Sequence, residues 1–331
     1  MAGLTWLHLS DWHQKGPDFD RFNRQVVCDA LIQDIHGRTE RIDSALAQVN
    51  FVVFSGDAAF TGKAEEFTAA RQYLFDKVLG AVGLEPDHLF LVPGNHDLSR
   101  DTVCEMLPLP LQEPLDSDTL VQTWLTDAKR RARALEPFEA YREFVAGYTG
   151  QPTPDYASIL RLEVDGKRVA LVGLNSAWMC GRNKDVKGEV YDYGYTLVGE
   201  PQIYDALAQI ADADLRIAVL HHPFEWLAPF DRYRIKARLA RKCNLILSGH
   251  EHCPDVEVKH STLGDCVTIP AGASYKRRIA EHPRYTNAYN FVHLDFDAGQ
   301  GVVYLRRWND THCEWLKDSD LYPGGEYGFS V

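Results

Sequence analysis

The chain alternates between short apolar runs that finish in polar residues and longer stretches whose apolar positions recur every three or four residues. The short runs are TWLHLS (5–10), NFVVFSG (50–56), HLFLVPG (88–94), RVALVGLNS (168–176), RIAVLHH (216–222), CNLILSGH (243–250), CVTIPAG (266–272), NFVHLDF (290–296) and GVVYLRRW (301–308). Their length and their β-branched and aromatic content predict strands. Phe22 to Ile35, Ala64 to Val82 and Pro201 to Ile210 carry the spacing of amphipathic helices. Pro201 sits where a first helical turn tolerates proline. Strand and helix alternate through the first hundred residues, which predicts a parallel sheet with crossover helices. The last third is rich in strands and poor in helices and reads as more antiparallel.

One segment breaks the alternation. From Leu98 to about Ser158 no strand is predicted: MLPLPLQEPLDSD (106–118) is proline-rich, and residues 119–148 read as one or two helices interrupted near Pro137. The expected organisation is a core domain built from 1–97 and 159–331, with 98–158 as a helical insertion. That insertion reads equally as a cap beside a site or as an ordinary pair of surface helices.

At 331 residues and 45% hydrophobic content, the chain can bury a full core. The N-terminus has neither a basic n-region nor an apolar run of signal-peptide length, and no stretch is long and apolar enough to span a bilayer. The seven cysteines are scattered without a C-x-x-C pair, so a reducing cytoplasm fits better than a disulfide framework. A net charge of -12 argues against a broad basic face tracking duplex nucleic acid. Two local basic segments exist, YKRRIAEHPR (275–284) and the arginines at 130, 131 and 133; both read first as solvated surface, the former alternatively as a patch that steers phosphate.

Chemistry concentrates where the predicted strands end. HLSDWHQ places Asp11 and His13 two apart, the spacing that puts extended side chains on one side, with Trp12 turned away into the core. Asp57 follows Gly56, and LFLVPGNHD ends in Asn95, His96 and Asp97. AVLHHP supplies His221 and His222, and LILSGHEH supplies His250 and His252. Five strands thus deliver carboxylate, amide or imidazole groups at their carboxyl ends, the edge where open α/β sheets hold ligands.

These blocks, D-x-H, G-D, G-N-H-D, an H-x-P-like pair and G-H-x-H, resemble those of the calcineurin-like metallophosphoesterases over Leu7 to His252. The resemblance implies a four-layer α/β/β/α sandwich with a helical insertion. It implies that Asp11, His13 and His252 hold one metal, that Asn95, His221 and His250 hold another, and that Asp57 bridges them. His221 is favoured over His222 because the family ligand stands two residues before the proline, here Pro223. Two divalent or mixed-valence transition ions are expected, manganese foremost, with iron, zinc or cobalt also suited to imidazole and carboxylate donors. A metal-bridging hydroxide would attack phosphorus, His96 would contact the phosphate and protonate the leaving oxygen, and Asp97 would orient the His96 ring.

Departures narrow the group. GDAAFTG and GNHD differ from the G-D-x-V-D-R-G and G-N-H-E of the protein serine/threonine phosphatases, and Phe60 stands where purple acid phosphatases place an iron-binding tyrosine. The blocks look closest to class III cyclic-nucleotide phosphodiesterases and their bacterial relatives. The expectation is a cytoplasmic phosphodiesterase for nucleotide-type substrates, without a membrane and with nucleic acid disfavoured, open to a protein partner or fusion domain. The alternatives are an SbcD-type nuclease and a regulatory or scaffolding module that retains the metal site.

Overall fold

The computed structural model describes residues 3–16, 20–105, 107–108, 111–251, 255–259, 266–275 and 287–331. Among them, two sheets stack face to face. The first runs β12 (Glu314–Lys317), β11 (Gln300–Asn309), β10 (Ala288–Asp295), β1 (Gly3–Leu9), β2 (Phe51–Phe54), β3 (Leu89–Leu91), with β13 (Glu326–Ser330) also paired to β11. The second runs β4 (Ala157–Val164), β5 (Lys167–Leu174), β6 (Leu215–Leu220), β7 (Leu245–Ser248), β9 (Cys266–Pro270), β8 (Glu257–Lys259). β1, β2 and β3 are parallel to one another, as are β5, β6, β7 and β9, whereas β10 to β13 pair antiparallel.

Three apolar clusters fix the layers. Trp6, Phe51, Val53 and Phe90 of the first sheet meet Leu171, Ile217, Val219 and Leu247 of the second. The outer face of the first sheet packs on α1 (Arg21–His36) and on a long helix split into α3 (Ala64–Ala70), a π turn (Arg71–Phe75) and α4 (Asp76–Val82). The outer face of the second packs on α9 (Glu200–Gln209) and α10 (Pro229–Lys242). The α/β/β/α sandwich follows, since each sheet is apolar on both faces and needs cover on both. β2, FVVF, is buried at every position for that reason.

The short helix α2 (Arg38–Arg41) follows α1, and residues 98–158 hold α5 (Arg100–Glu105), α6 (Asp118–Thr126), α7 (Ala128–Ala134) and α8 (Glu139–Thr149). The break expected near Pro137 is there, as a single 3-10 turn, but a second break falls at Asp127, whose side chain caps α7 through the Arg130 N–H. Val121, Leu125, Phe138, Tyr141 and Val145 join the same apolar cluster as α1 and α3. α8 therefore packs with α3 in the outer helical layer of the first sheet, whereas α6 lies against α9, and Asp118 pairs with Arg234 of α10 at 2.8 Å. No helix among the described residues is long and apolar enough to cross a membrane.

Candidate metal centre

The carboxyl ends of β1, β2, β3, β6 and β7 converge between the two sheets. Backbone bonds join the turns: Asp11 N–H donates to Gly56 carbonyl (2.9 Å), His13 N–H to Asp57 carbonyl (2.9 Å), and Gly249 N–H to His221 carbonyl (3.0 Å). Close approach requires glycine. A Cβ at Gly94 would stand 2.1 Å from Asp57 Oδ1, and one at Gly56 would stand 2.4 Å from the His221 ring.

Asp57 sits at the middle. Its Oδ2 lies 3.3 Å from His221 Nε2 and 3.8 Å from His13 Nδ1, while its Oδ1 accepts the His96 N–H at 2.8 Å. Asp11 Oδ1 is 3.5 Å from His13 Nε2, and Asp11 Oδ2 accepts the His250 N–H at 3.0 Å. His221 Nε2 is 3.1 Å from His250 Nδ1, and its other nitrogen is fixed by the Ser55 carbonyl at 2.7 Å. That second bond selects which imidazole nitrogen faces the centre. Asn95 Oδ1 is buried and accepts no hydrogen bond among the described residues.

Backbone strain gathers at the same place. Asp11, His13, Asp57 and His250 adopt φ of 54°, 49°, 60° and 72°, left-handed values that cost a side-chain-bearing residue about 1–3 kcal/mol each. A fold retains such conformations where they aim side chains at a common point.

The electrostatics ask for positive charge. Burial pushes the Asp57 carboxyl up, but His221, His96 and His13 outweigh it and hold the group well below the usual carboxylate range. Burial opposes a charged His221, yet Asp57 and Asp11 raise it to about 9. A cation between the carboxylates would supply that charge and release the proton, as metal binding to imidazole does. The donor set fits a transition ion: several groups of imidazole and carboxylate atoms lie within 4.8 Å of one another, including Asp11, Asp57 and His221, and His13, Asp57 and His96. The orphaned Asn95 oxygen completes the case, because a buried carbonyl without a donor is what a metal ligand looks like before its ion is considered.

His221 and His222 are told apart by their partners. His222 turns to Ser176 Oγ (3.0 Å) and the Cys180 thiol (3.8 Å), and burial drives its pKa well down. Its ring also lies 4.6 Å from that of His250, and a ring nitrogen of each of His221, His222 and His250 falls within 4.8 Å of the others. His252 lies outside the described residues, as do residues 276–284 of the basic segment.

The expected role of Asp97 needs correction. Its carboxylate does not hold the His96 ring; it accepts the N–H groups of Asp57 (2.8 Å), Ala59 (2.8 Å) and Gly94 (2.9 Å) and so clamps the β2 and β3 turns together. Adjacent residues in a tight turn point apart, which is why the neighbour cannot serve the ring. His96 is oriented by the Phe60 carbonyl on Nδ1 (2.9 Å) and by stacking on the Phe60 ring (5.0 Å), leaving Nε2 for the site. Burial lowers the His96 pKa.

Sequence reasoning missed the aromatic wall. Trp226 packs against His250 at 4.0 Å, and Tyr193, about half exposed, packs on Trp226 at 5.3 Å. Neither lies in a polar strand end, so no local pattern marked them.

The profile of the calcineurin-like phosphoesterases matches residues 4–254. An uncharacterised metallophosphoesterase-like protein of Bacillus subtilis (strain 168), YydB, is 24% identical over 324 residues, covering 96% of this chain and 62% of that protein. The chain thus spans under two thirds of that relative's length. Among solved structures, GAP50, the anchor in the inner membrane complex of Plasmodium, is similar with a TM-score of 0.51 at 14% identity, covering 100% of this chain and 89% of the other, a likeness of fold. The 5'-nucleotidase from Candida albicans SC5314 gives a TM-score of 0.42 at 14% identity, over 97% of this chain and 56% of that one.

Proposed function

The chain belongs to the calcineurin-like phosphoesterase family, and from that premise we propose that it is a dinuclear phosphodiesterase acting on small nucleotide-type diesters. The observation that carries the reading is the convergence of five strand ends on Asp57, with Asn95 Oδ1 buried and unsatisfied beside it. Asp11, His13 and His252 would hold one ion, Asn95, His221 and His250 the other, and Asp57 both. Manganese is the first candidate, then iron, zinc or cobalt. When bound, such a pair supplies Lewis-acid charge to the phosphoryl oxygens and lowers the pKa of the attacking water.

The protein's own residues do the rest. The Phe60 carbonyl holds His96 Nδ1, which leaves Nε2 as the nitrogen that can exchange a proton at the centre. It serves the leaving oxygen. Asp97 keeps the two turns in register, a positioning role. Trp226 and Tyr193 offer ring faces next to His250, which favours a substrate with a planar group beside the phosphate. Residues 98–158 are taken as an insertion into a core of 1–97 and 159–331, and the free thiols suit a cytoplasmic location.

A substrate panel tests the reading: cyclic nucleotides, simple nucleotide diesters, monoesters and single-stranded DNA, with the metals determined by elemental analysis. Nucleotide diesters should show the highest kcat/KM, with KM changing only a few-fold between about 50 and 200 mM salt. Faster cleavage of DNA with steep salt dependence would establish a nuclease instead. Loaded metals without turnover on any ester would support a scaffolding role.

A further inference from the structure

Behind the turn that carries Asp11 and His13, a cleft of about 170 Å³ opens between α1 and the π turn. Its walls combine the rings of Trp12 and Tyr73, the cations Arg21, Arg24 and Lys77, and the amide of Gln72. Arg21 and Arg24 fall one helical turn apart on the face of α1 that looks into the cleft. The opposite wall is the π turn, Arg71–Phe75, which brings Gln72 and Tyr73 to the cleft and whose Tyr73 carbonyl accepts the Cys28 thiol at 3.0 Å. Single π turns within longer helices concentrate at functional sites.

Arg24 is the unusual member. It is 6% exposed, and burial outweighs the support that Tyr275, Asp20 and Glu66 give its charge, with no carboxylate in ion-pair contact among the described residues. Its Nη1 and Nη2 donate to the carbonyls of Trp12 (2.5 Å) and His13 (2.7 Å), and its plane lies 4.2 Å from the Tyr275 ring and 5.2 Å from that of Trp12. The third donor, Nε, is buried and has no partner among the described residues. An orphaned guanidinium N–H is a costly thing to keep unless something accepts it. At the rim, Arg21 lies 5.8 Å over the Tyr73 ring, and Lys77 pairs with Asp29 at 2.9 Å. In a chain of net charge -12, three cations and two rings around one cleft make an uncommon combination.

We propose that this cleft is a second ligand site for a small planar anion, a ring bearing a phosphate or carboxylate, and that its occupant is felt at the metal centre through Arg24. The cations receive the anion, and the Tyr73 and Trp12 rings receive the plane. Arg24 then connects the two sites physically, since the carbonyls it holds belong to the same turn as Asp11 and His13. The inference stands apart from which phosphoester is cleaved.

Calorimetric titration of the metal-loaded protein tests it, with adenosine monophosphate and 4-hydroxybenzoate as the phosphate-bearing and carboxylate-bearing probes. One of the two should bind, and Arg21→Glu/Lys77→Glu should weaken that binding by about tenfold or more while leaving basal turnover of a nitrophenyl phosphodiester unchanged. Tyr73→Ser, which removes a ring and no charge, should weaken it about threefold or more. Saturating probe should alter kcat in the parent protein and not in the charge-reversed variant. Failure of both probes to bind below about 10 mM, or binding that neither variant alters, would overturn the site. Binding lost in the variants without any effect of the probe on kcat would overturn the link through Arg24.

Discussion

Two clusters of buried charge in this molecule differ in a way that separates a structural device from a reactive one. Asp34 on α1 accepts Arg306 Nε (2.8 Å), Arg306 Nη2 (2.6 Å) and the Tyr289 hydroxyl (2.5 Å), and Arg306 Nη2 also reaches the Trp315 carbonyl (2.9 Å). Asp34 and Tyr289 keep no buried side-chain oxygen without a partner, and opposite charges meet in a fork geometry. At the metal centre the carboxylates of Asp11 and Asp57 instead face imidazoles, two imidazoles face each other at 3.1 Å, and Asn95 Oδ1 accepts no hydrogen bond among the described residues. Four residues there hold left-handed backbone. Burial of charge alone does not mark a site. Incomplete satisfaction combined with strain does, because only a missing component can compensate for both.

The contrast is sharpest at the two central carboxylates. Asp57→Asn keeps the size of the side chain but removes the shared anion, so both ions should leave together and kcat should fall by more than about a thousandfold, some 4 kcal/mol in the transition state. Elemental analysis beside steady-state kinetics checks this; one ion retained at full occupancy would break the claim of a bridge. Next in size is His96→Ala. Metal content should persist while turnover of alkyl diesters drops roughly two to four orders of magnitude. A nitrophenyl diester, whose leaving group needs no proton, should lose much less, and equal losses on the two substrates would remove His96 from leaving-group duty.

The closed cluster should respond in stability. Arg306→Met strands the Asp34 carboxylate in the core and should cost about 3–5 kcal/mol in denaturant unfolding, with kcat of the folded fraction unchanged. The pair variant Asp34→Leu/Arg306→Met should regain much of that loss. A large fall in kcat would mean that the two clusters are coupled and the distinction drawn between them is wrong.

Legibility in the sequence followed the same line. Strand ends of the buried parallel strands were readable because a run such as LILS needs no polar terminus, so the His250 that follows it stands out. β4 was not read: ASILRLEV is an edge strand whose half-buried positions give only weak alternation, although Gly150, Pro152 and Pro154 end the helical segment before it and Asp165-Gly166 turns it into β5. α10 went unnamed because only Asp231, Ile235 and Leu239 are buried among its cations, too thin a stripe to show a period. β12 and β13 are short strands with few buried positions to alternate, and β8 is only three residues long. Within the site, the donor residues could be read, but the partners that orient them could not. Ser55, Phe60 and Ser176 act through a carbonyl or a hydroxyl brought close by the fold, and Asp97 serves backbone N–H groups rather than the ring next to it.

The smallest effect is expected at the aromatic wall, where the open site meets solvent. Tyr193 packs on Trp226, which in turn packs on the proposed ligand His250, so its link to the metal centre is indirect. A half-exposed ring that stacks on a substrate base contributes about 0.5–1.5 kcal/mol, so Tyr193→Ala should raise KM for a nucleotide diester by about three- to tenfold and leave kcat nearly unchanged. Metal content should not move. A dialkyl diester has no plane to stack, and its KM should be indifferent to the substitution. That split separates recognition from chemistry: a ring that only supports the fold would change both substrates alike, and a ring that orders His250 would lower kcat on both. Saturation kinetics on the two esters, at one pH and one metal concentration, decide among the three.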